Sequence, residues 1–327
     1  MIIAPVPQRW TALQRLPLQG RILALPDEAR DVVRRVNDAS GLAAVPAPVT
    51  PTLDWQMDLR EALCGMPPQV LERVAPLLLG ICLGRGLGSS GITDIVVDAQ
   101  GQLLGCLVLL DVELLAPHGA NSWATWKENL PFVRADGHTL EAAIAWPEQD
   151  TRAGALQYLL LHEFAHVLSA GGNFLPRWWE PVPSSRFGFL DLSWNVVDGR
   201  FATRPGSDFA LRKTVDFYGN AKLGSDAIID ACLGLLDSDF SSLYGATNPY
   251  DDFAECFASY VHMELLGRPH VLRIHRDGEP LAEVDNFWDG QRSGPKRDFM
   301  RTLLGEPEAV TVLRNAAGHG GYAALPR

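Results

Sequence analysis

Two histidines and a glutamate stand at a spacing that suits metal-assisted chemistry, in the segment LQYLLLHEFAHVLSAGG. His162 and His166 are four residues apart, so on a helix they lie on one face, one turn from each other. Two imidazoles in that arrangement can bind one Zn²⁺ at about 2.0–2.1 Å each. Glu163 lies one position further round, where its carboxylate can take a proton from a water molecule beside the metal. This is the spacing of the HExxH motif, and it predicts a metal site with Glu163 as general base.

The residues around the motif predict that its helix belongs to the core. Asp150 or Thr151 is a suitable N-cap for a helix over Arg152 to Ala170, and Gly171-Gly172 ends it. Its apolar positions are Leu156, Leu159, Leu160, Phe164, Val167 and Leu168. The alternative is a pair of buried or capping histidines with no metal. Because buried His and Glu side chains need partners, a metal site is the preferred interpretation.

A catalytic zinc needs a third protein ligand, and no third histidine follows shortly after His166. The best source is the stretch LYGATNPYDDFAECFASYVHME, residues 243–264. Asn248 as N-cap and Pro249 at the first helical position predict the start of a helix there. Asp251 and Glu255 then share one face at i, i+4. Without a metal, Asp251 would be the third residue of a capping box with Asn248, and Tyr244 an ordinary half-buried tyrosine.

This second stretch, together with HExxH, resembles the two active-site motifs of the anthrax lethal factor type of zincin, within the gluzincin class of HExxH peptidases. The residues that carry the resemblance are Tyr244, Gly245, Thr247, Asn248, Asp251, Phe253, Ala254, Glu255 and Phe257. The single constellation of these residues predicts one zinc per chain, and the resemblance implies Asp251 as its third ligand. It also implies that Glu255 holds a zinc-bound histidine and that Tyr244 points its phenol at the reaction centre. These families place a glutamate at the ligand position, so Glu255 is the alternative ligand to the shorter Asp251.

Composition limits the classes of partner. The chain has 327 residues and a formal net charge of -11, and an acidic surface repels nucleic acid and anionic membranes. The five cysteines show no metal-finger spacing, and their apolar surroundings predict free thiols in a reducing compartment. The N-terminal segment has no features of a signal peptide, and no apolar run reaches the roughly 20 residues of a membrane span. We expect a cytoplasmic protein, although signal-independent export would leave no such trace.

The remaining pattern predicts an α+β fold, a zincin-like metallopeptidase domain. Residues 1–85 are expected to be a mainly helical N-terminal region and residues 86–327 the catalytic domain, unless the two form one continuous domain. Helices are expected at 26–40, 54–64, 68–83, 121–130, 152–170, 226–236, 249–266 and 296–304. Strands are expected as a hairpin from Ile92 to Val112, a strand over 139–146, and a hairpin turning at Asp277-Gly278.

These features predict a zinc metallopeptidase that acts on a protein or peptide substrate. The alternatives are a metal-bearing binding or regulatory protein with little turnover, and a zinc hydrolase of a non-peptide amide. The strand before the active helix, residues 140–146, is expected to pair with an extended substrate. Trp178 and Trp179, in the loop-rich stretch 173–224, are either a substrate wall or core residues.

Overall fold

The computed structural model describes residues 1–3, 7–133, 137–182, 185–219, 223–285 and 287–305, which form a mixed α+β structure. The helices are α1 (Pro7–Leu13), α2 (Asp27–Ala39), α3 (Leu53–Cys64), α4 (Pro68–Val74), α5 (Val112–Leu115), α6 (Ala120–Glu128), α7 (Arg152–Gly171), α8 (Leu190–Ser193), α9 (Ile228–Leu236), α10 (Pro249–Ser259) and α11 (Gly294–Leu304). The strands are β1 (Ile2–Ile3), β2 (Ile22–Ala24), β3 (Ala47–Pro48), β4 (Leu78–Arg85), β5 (Gly91–Val97), β6 (Leu103–Asp111), β7 (His138–Ala143), β8 (Trp194–Val197), β9 (Arg200–Thr203), β10 (Val271–Arg276) and β11 (Glu279–Asp285). Single 3₁₀ turns lie at Leu18–Gly20, Pro147–Gln149, Arg212–Thr214, Ser225–Ala227, Phe287–Asp289 and Gln291–Ser293, and a π-helical segment, Tyr260–Leu265, continues α10.

A six-stranded mixed sheet lies at the centre. Its strands run in the order β1-β5-β6-β4-β2, and β3 pairs with β4 beside β2. β5 and β6 form the predicted antiparallel hairpin, whereas β4 runs parallel to both β6 and β2. The sheet therefore combines strands from both sides of residue 85, where the sequence suggested a boundary. Residues 306–327 of the predicted second part lie outside the described residues.

Two apolar clusters fill the two faces of this sheet. The larger surrounds α7, which packs on β5, β6, α3, α6 and α10. The smaller joins α1 and α2 to the opposite face, through residues such as Trp10, Ala29, Val33 and Leu107. Successive residues of β6 alternate between the clusters, with Leu107 and Leu109 in one and Val108 and Leu110 in the other. Because both faces of such a strand are buried, its sequence is a continuous run of apolar residues.

That property explains the main error in the predicted elements. The expected helix over 68–83 is wrong, because α4 ends at Val74 and residues 78–85 form the central strand β4. A continuous apolar run such as LLLGICLG has no period that separates a buried strand from a buried helix. Gly80 marks the strand, since a side chain there would lie 2.7 Å from Leu23 Cδ2 on β2.

A three-stranded antiparallel sheet in the order β11-β10-β7 lies against α6. The outer edge of β7 and the residues after it are covered by Asn121, Thr125 and Asn129, which follow one another at four-residue spacing. Thr125 Oγ1 accepts a hydrogen bond from Ala142 N, and Asn121 Oδ1 accepts from the backbone N–H groups of residues 144 and 145. The expectation that this edge pairs with substrate is therefore wrong: the polar face of a helix already satisfies it.

The other expected elements are present within one to a few residues of their predicted bounds. The stretch 173–224 holds only α8, one 3₁₀ turn and the hairpin of β8 and β9 among its described residues. All five cysteines are free, and Cys64 is exposed rather than in the apolar setting expected for it. Among the described residues, no helix is both long and apolar enough to cross a membrane.

A buried ion pair ties α11 to α10 beside the candidate site. Lys296 Nζ lies 2.6 and 2.8 Å from the two carboxylate oxygens of Asp252 and 2.6 Å from Asp239 O. Trp194 Nε1 donates to the same carboxylate at 2.9 Å. Because Lys296 and Asp252 are both buried, neither charge has water to replace a lost partner. The pair fixes the position of α10 next to Asp251.

We expect Lys296→Met to lower the free energy of unfolding by about 3–5 kcal/mol, since it leaves Asp252 as an unpaired buried charge. Arg30→Ala is the matched control, because Arg30 and Asp27 form an ion pair at the surface whose loss costs at most about 1 kcal/mol. Urea unfolding of the two variants measures both values. Equal losses would show that the buried pair does not hold α10.

Candidate metal centre

The structure places both motif histidines on the face of α7 that packs against α10. The side-chain oxygen of Thr151 accepts a hydrogen bond from Gly154 N and caps α7, as expected from the sequence. His162 and Glu163 are buried, and the His166 side chain is 16% exposed. The helix therefore presents the three groups together at the edge of the core, with His166 the most exposed of them.

Three side-chain atoms converge between the two helices. His162 Nε2 lies 3.2 Å from His166 Nε2, and Asp251 Oδ1 lies 3.8 and 3.6 Å from these two atoms. Ligands at about 2.0–2.1 Å from a tetrahedral metal lie about 3.3 Å apart. The buried cluster of His162, His166 and Asp251 could therefore hold a metal ion with little rearrangement.

The N-cap of α10 orients the Asp251 carboxylate. Asn248 Oδ1 accepts hydrogen bonds from Tyr250 N and Asp251 N at 3.0 Å each, and Asn248 Nδ2 donates to Asp251 Oδ2. Thr247 Oγ1 lies 3.4 Å from the same Oδ2. With Oδ2 held in this way, Oδ1 faces the two histidines. Burial alone would raise the pKa of Asp251, but its contacts with His166 and His162 bring it below the usual value.

Glu255 lies on the other side of His162. Its Oε1 is 2.8 Å from His162 Nδ1, the ring nitrogen that points away from the three-atom cluster. Its Oε2 accepts a hydrogen bond from Ser242 Oγ at 2.9 Å, and the same Oγ accepts from Gly245 N at 3.0 Å. A carboxylate at Nδ1 favours a proton there and leaves Nε2 free to bind a metal. The two acids of α10 thus occupy different places: Asp251 lies at the cluster and Glu255 behind a histidine.

Lys127, on α6, is a site residue that the sequence reasoning missed. Its Nζ lies 2.9 Å from Glu255 Oε1 and 3.3 Å from Glu128 Oε1, and its side chain is only 11% exposed. Burial alone would raise the pKa of Glu255, but the charge of Lys127 and the contact with His162 hold it well below the usual range. Lys127 therefore keeps Glu255 ionised beside His162 Nδ1.

The ring of Tyr244 is held on several sides. It stacks on His162 with the ring centroids 5.5 Å apart, and it packs against Phe217 at 4.8 Å. Lys127 Nζ lies 5.0 Å from its centroid. Burial and the charge of Asp251 raise the pKa of Tyr244 well above its usual value, so its hydroxyl keeps its proton and can donate a hydrogen bond.

Glu163 is held by the strand that runs across the site. Thr93 Oγ1, on β5, donates to Glu163 Oε2 at 2.7 Å and lies 3.1 Å from Glu163 O. A side chain at Gly91 would place its Cβ 2.5 Å from Glu163 Oε1. Gly91, the first residue of β5, therefore makes room for this carboxylate because it has no side chain.

Two cavities of about 490 and 440 Å³ open beside the cluster, and both are lined by His162, Glu163, Tyr244 and Gly91. The first is walled by Trp123, Trp126, Leu130 and Leu159 among other residues. The second reaches Trp178, whose ring centroid lies 6.5 Å from that of His166. Trp178 is half-buried, so it is both packed on the core and part of the cleft wall.

We expect the protein to bind close to one zinc per chain, and Asp251→Ala to weaken zinc binding more than Glu255→Ala. Asp251 lies at the cluster itself, whereas Glu255 contacts only the far nitrogen of His162 and its removal costs about 10–100-fold. Competition titration with a chromophoric chelator, together with elemental analysis, gives both affinities. If Glu255→Ala loses the metal while Asp251→Ala keeps it, the ligand assignment is reversed.

We also expect Lys127→Met to lower zinc affinity by about 10–100-fold, because Glu255 loses the cation that keeps it ionised beside His162. Lys127→Arg keeps the charge and is expected to retain more of the affinity. Lys213→Met, at an exposed lysine, serves as control. A Lys127→Met protein with a lower melting temperature but unchanged zinc affinity would show that the lysine only stabilises the fold.

The chain matches no protein-family model, no curated protein and no solved structure. What the site does is therefore inferred from the distances, burial and hydrogen bonds of its own side chains.

Proposed function

We propose that the protein is a zinc-dependent metallopeptidase with a zincin-like catalytic domain. The observation that carries the proposal is the buried triangle of His162, His166 and Asp251 with the adjacent carboxylate of Glu163, at the junction of two cavities. A binding protein that only stores a metal has no use for an additional buried carboxylate at that place. The donor set of two imidazoles and one carboxylate suits zinc and leaves a fourth position open.

Bound zinc would polarise both a water molecule and the carbonyl of the scissile bond. Glu163 takes a proton from the attacking water and passes it to the leaving amine. The carbonyl oxygen gains negative charge as the water oxygen bonds to its carbon, and the Tyr244 hydroxyl donates a hydrogen bond to it. Glu255 and Lys127 keep the His162 ring in the orientation that binding requires.

The open edge of β5 supports a peptide as the substrate. Within the described part of the chain, β1 pairs only with Val96 and Val97, so residues 91–95 have no strand on that side. Gly91, Ile92 and Thr93 line the second cavity together with Glu163. An extended peptide can add to such an edge through backbone hydrogen bonds. A small amide has no extended backbone to pair with this edge, which favours a peptidase over a hydrolase of small amides.

We expect Glu163→Gln to keep its zinc and its fold but to lose hydrolytic activity by at least about 10²–10⁴-fold, the usual contribution of a general base. Zinc is retained because Glu163 is not one of the three converging ligands: its carboxylate accepts from Thr93 and lines the two cavities. Turnover of a quenched fluorescent peptide library, with zinc content measured in parallel, checks this. Glu148→Gln, at an exposed acid before α7, is the control and is expected to be active. A fully active Glu163→Gln enzyme would contradict the mechanism.

A further inference from the structure

A second tyrosine, Tyr218, reaches the site from the loop-rich stretch. Its neighbours Val215 and Phe217 are buried, and Phe217 packs on Tyr244. The Tyr218 backbone N–H donates to Asp216 Oδ1 at 2.9 Å, which turns the chain there. Tyr218 itself is 61% exposed. An exposed aromatic side chain that directly follows buried anchors is positioned by the loop rather than by the core.

The hydroxyl of this exposed side chain contacts two residues of the site. It lies in hydrogen-bond contact with the hydroxyl of Tyr244, and it is 3.4 Å from Asp251 Oδ2. The two tyrosine rings are 5.8 Å apart. Tyr218 also lines both cavities, so its side chain stands where they meet, above the three converging ligand atoms.

We propose that Tyr218 is a second catalytic phenol, which shares with Tyr244 the task of donating hydrogen bonds to the substrate's carbonyl oxygen. This inference rests on the proposed peptidase function. Because the two hydroxyls touch, there is a position from which a carbonyl oxygen can accept hydrogen bonds from Tyr244 and Tyr218 together. Each phenol carries one proton, so the pair has two donors for an oxygen that gains negative charge.

The geometry favours a donor over a metal ligand. Tyr218 approaches Asp251 at Oδ2, whereas Oδ1 is the oxygen that faces the histidines. In the absence of substrate, Tyr218 donates to Oδ2 and accepts from Tyr244, which keeps both hydroxyls at the site.

The test compares Tyr218→Phe, Tyr244→Phe and the double variant, each of which keeps its ring and loses a hydroxyl. With a quenched fluorescent peptide that the wild-type enzyme cleaves, Tyr218→Phe is expected to lower kcat about 10²-fold with little change in KM, as for one lost oxyanion donor. The double variant should be slower than either single one. Zinc content should stay at the wild-type value. A phosphoramidate dipeptide, whose tetrahedral phosphoryl group mimics the addition product, should bind more weakly to Tyr218→Phe by a similar factor.

Tyr158→Phe is the matched control, because Tyr158 is buried in α7 and its hydroxyl has no hydrogen-bond partner among the described residues. That variant is expected to keep the wild-type kcat. Unchanged or increased kcat in Tyr218→Phe would overturn the inference, since the phenol would then be a bystander or an obstruction. Loss of zinc from Tyr218→Phe would overturn it too, because the phenol would then be a ligand. If the wild-type protein binds zinc but cleaves no peptide, the proposed function is contradicted, and this inference with it.

Discussion

The burial of charge between α7 and α10 is the constraint on which the site depends. Glu128, Glu163, Asp251 and Glu255 are all buried, and Lys127 is the one lysine or arginine that the described residues place in contact with any of them. Removing carboxylates from water is costly unless cations or hydrogen-bond donors replace the water. The packing of the two helices therefore favours positive charge at the point where the histidines meet Asp251. A divalent cation there would supply it, and α6 supplies the rest through Lys127.

The sequence predicts those features of the site that depend on neighbouring residues in the chain. The pairing of His162 with His166 needs only the helical repeat, and the orientation of Asp251 follows from an N-cap three residues earlier. These groups lie in two short segments, each of which carries its own helix signals. Their convergence depends on the packing of α7 on α10, which no pattern within either segment shows.

The site residues that the sequence does not predict contact partners far away in the chain. Lys127 reaches Glu255 over 128 residues, and Thr93 reaches Glu163 over 70. No spacing rule connects such pairs, because their proximity follows from the order of strands and helices. The covered edge of β7 differs. Asn121 and Thr125 on α6 and Asn129 at its C-cap lie on one side at four-residue spacing, and this polar pattern is a signal that the sequence offers. β4 offers no comparable signal apart from its glycines.

The contact between β5 and Glu163 connects the fold to the proposed reaction. Gly91 and Thr93 are two residues apart on the strand, so both lie on the face towards α7. Gly91 makes room for the Glu163 carboxylate, and Thr93 donates a hydrogen bond to it. The same residues lie on the stretch of β5 whose outer edge is open. In the proposed reaction, a peptide that pairs with this edge would take its register from the strand that also positions Glu163. The distance between the scissile carbonyl and Glu163 is then set by backbone hydrogen bonds rather than by the substrate's side chains. For the proposed peptidase, selection among substrates would then depend on the cavity walls on either side of the cluster, which come from α6, Trp178 and the loop that carries Tyr218.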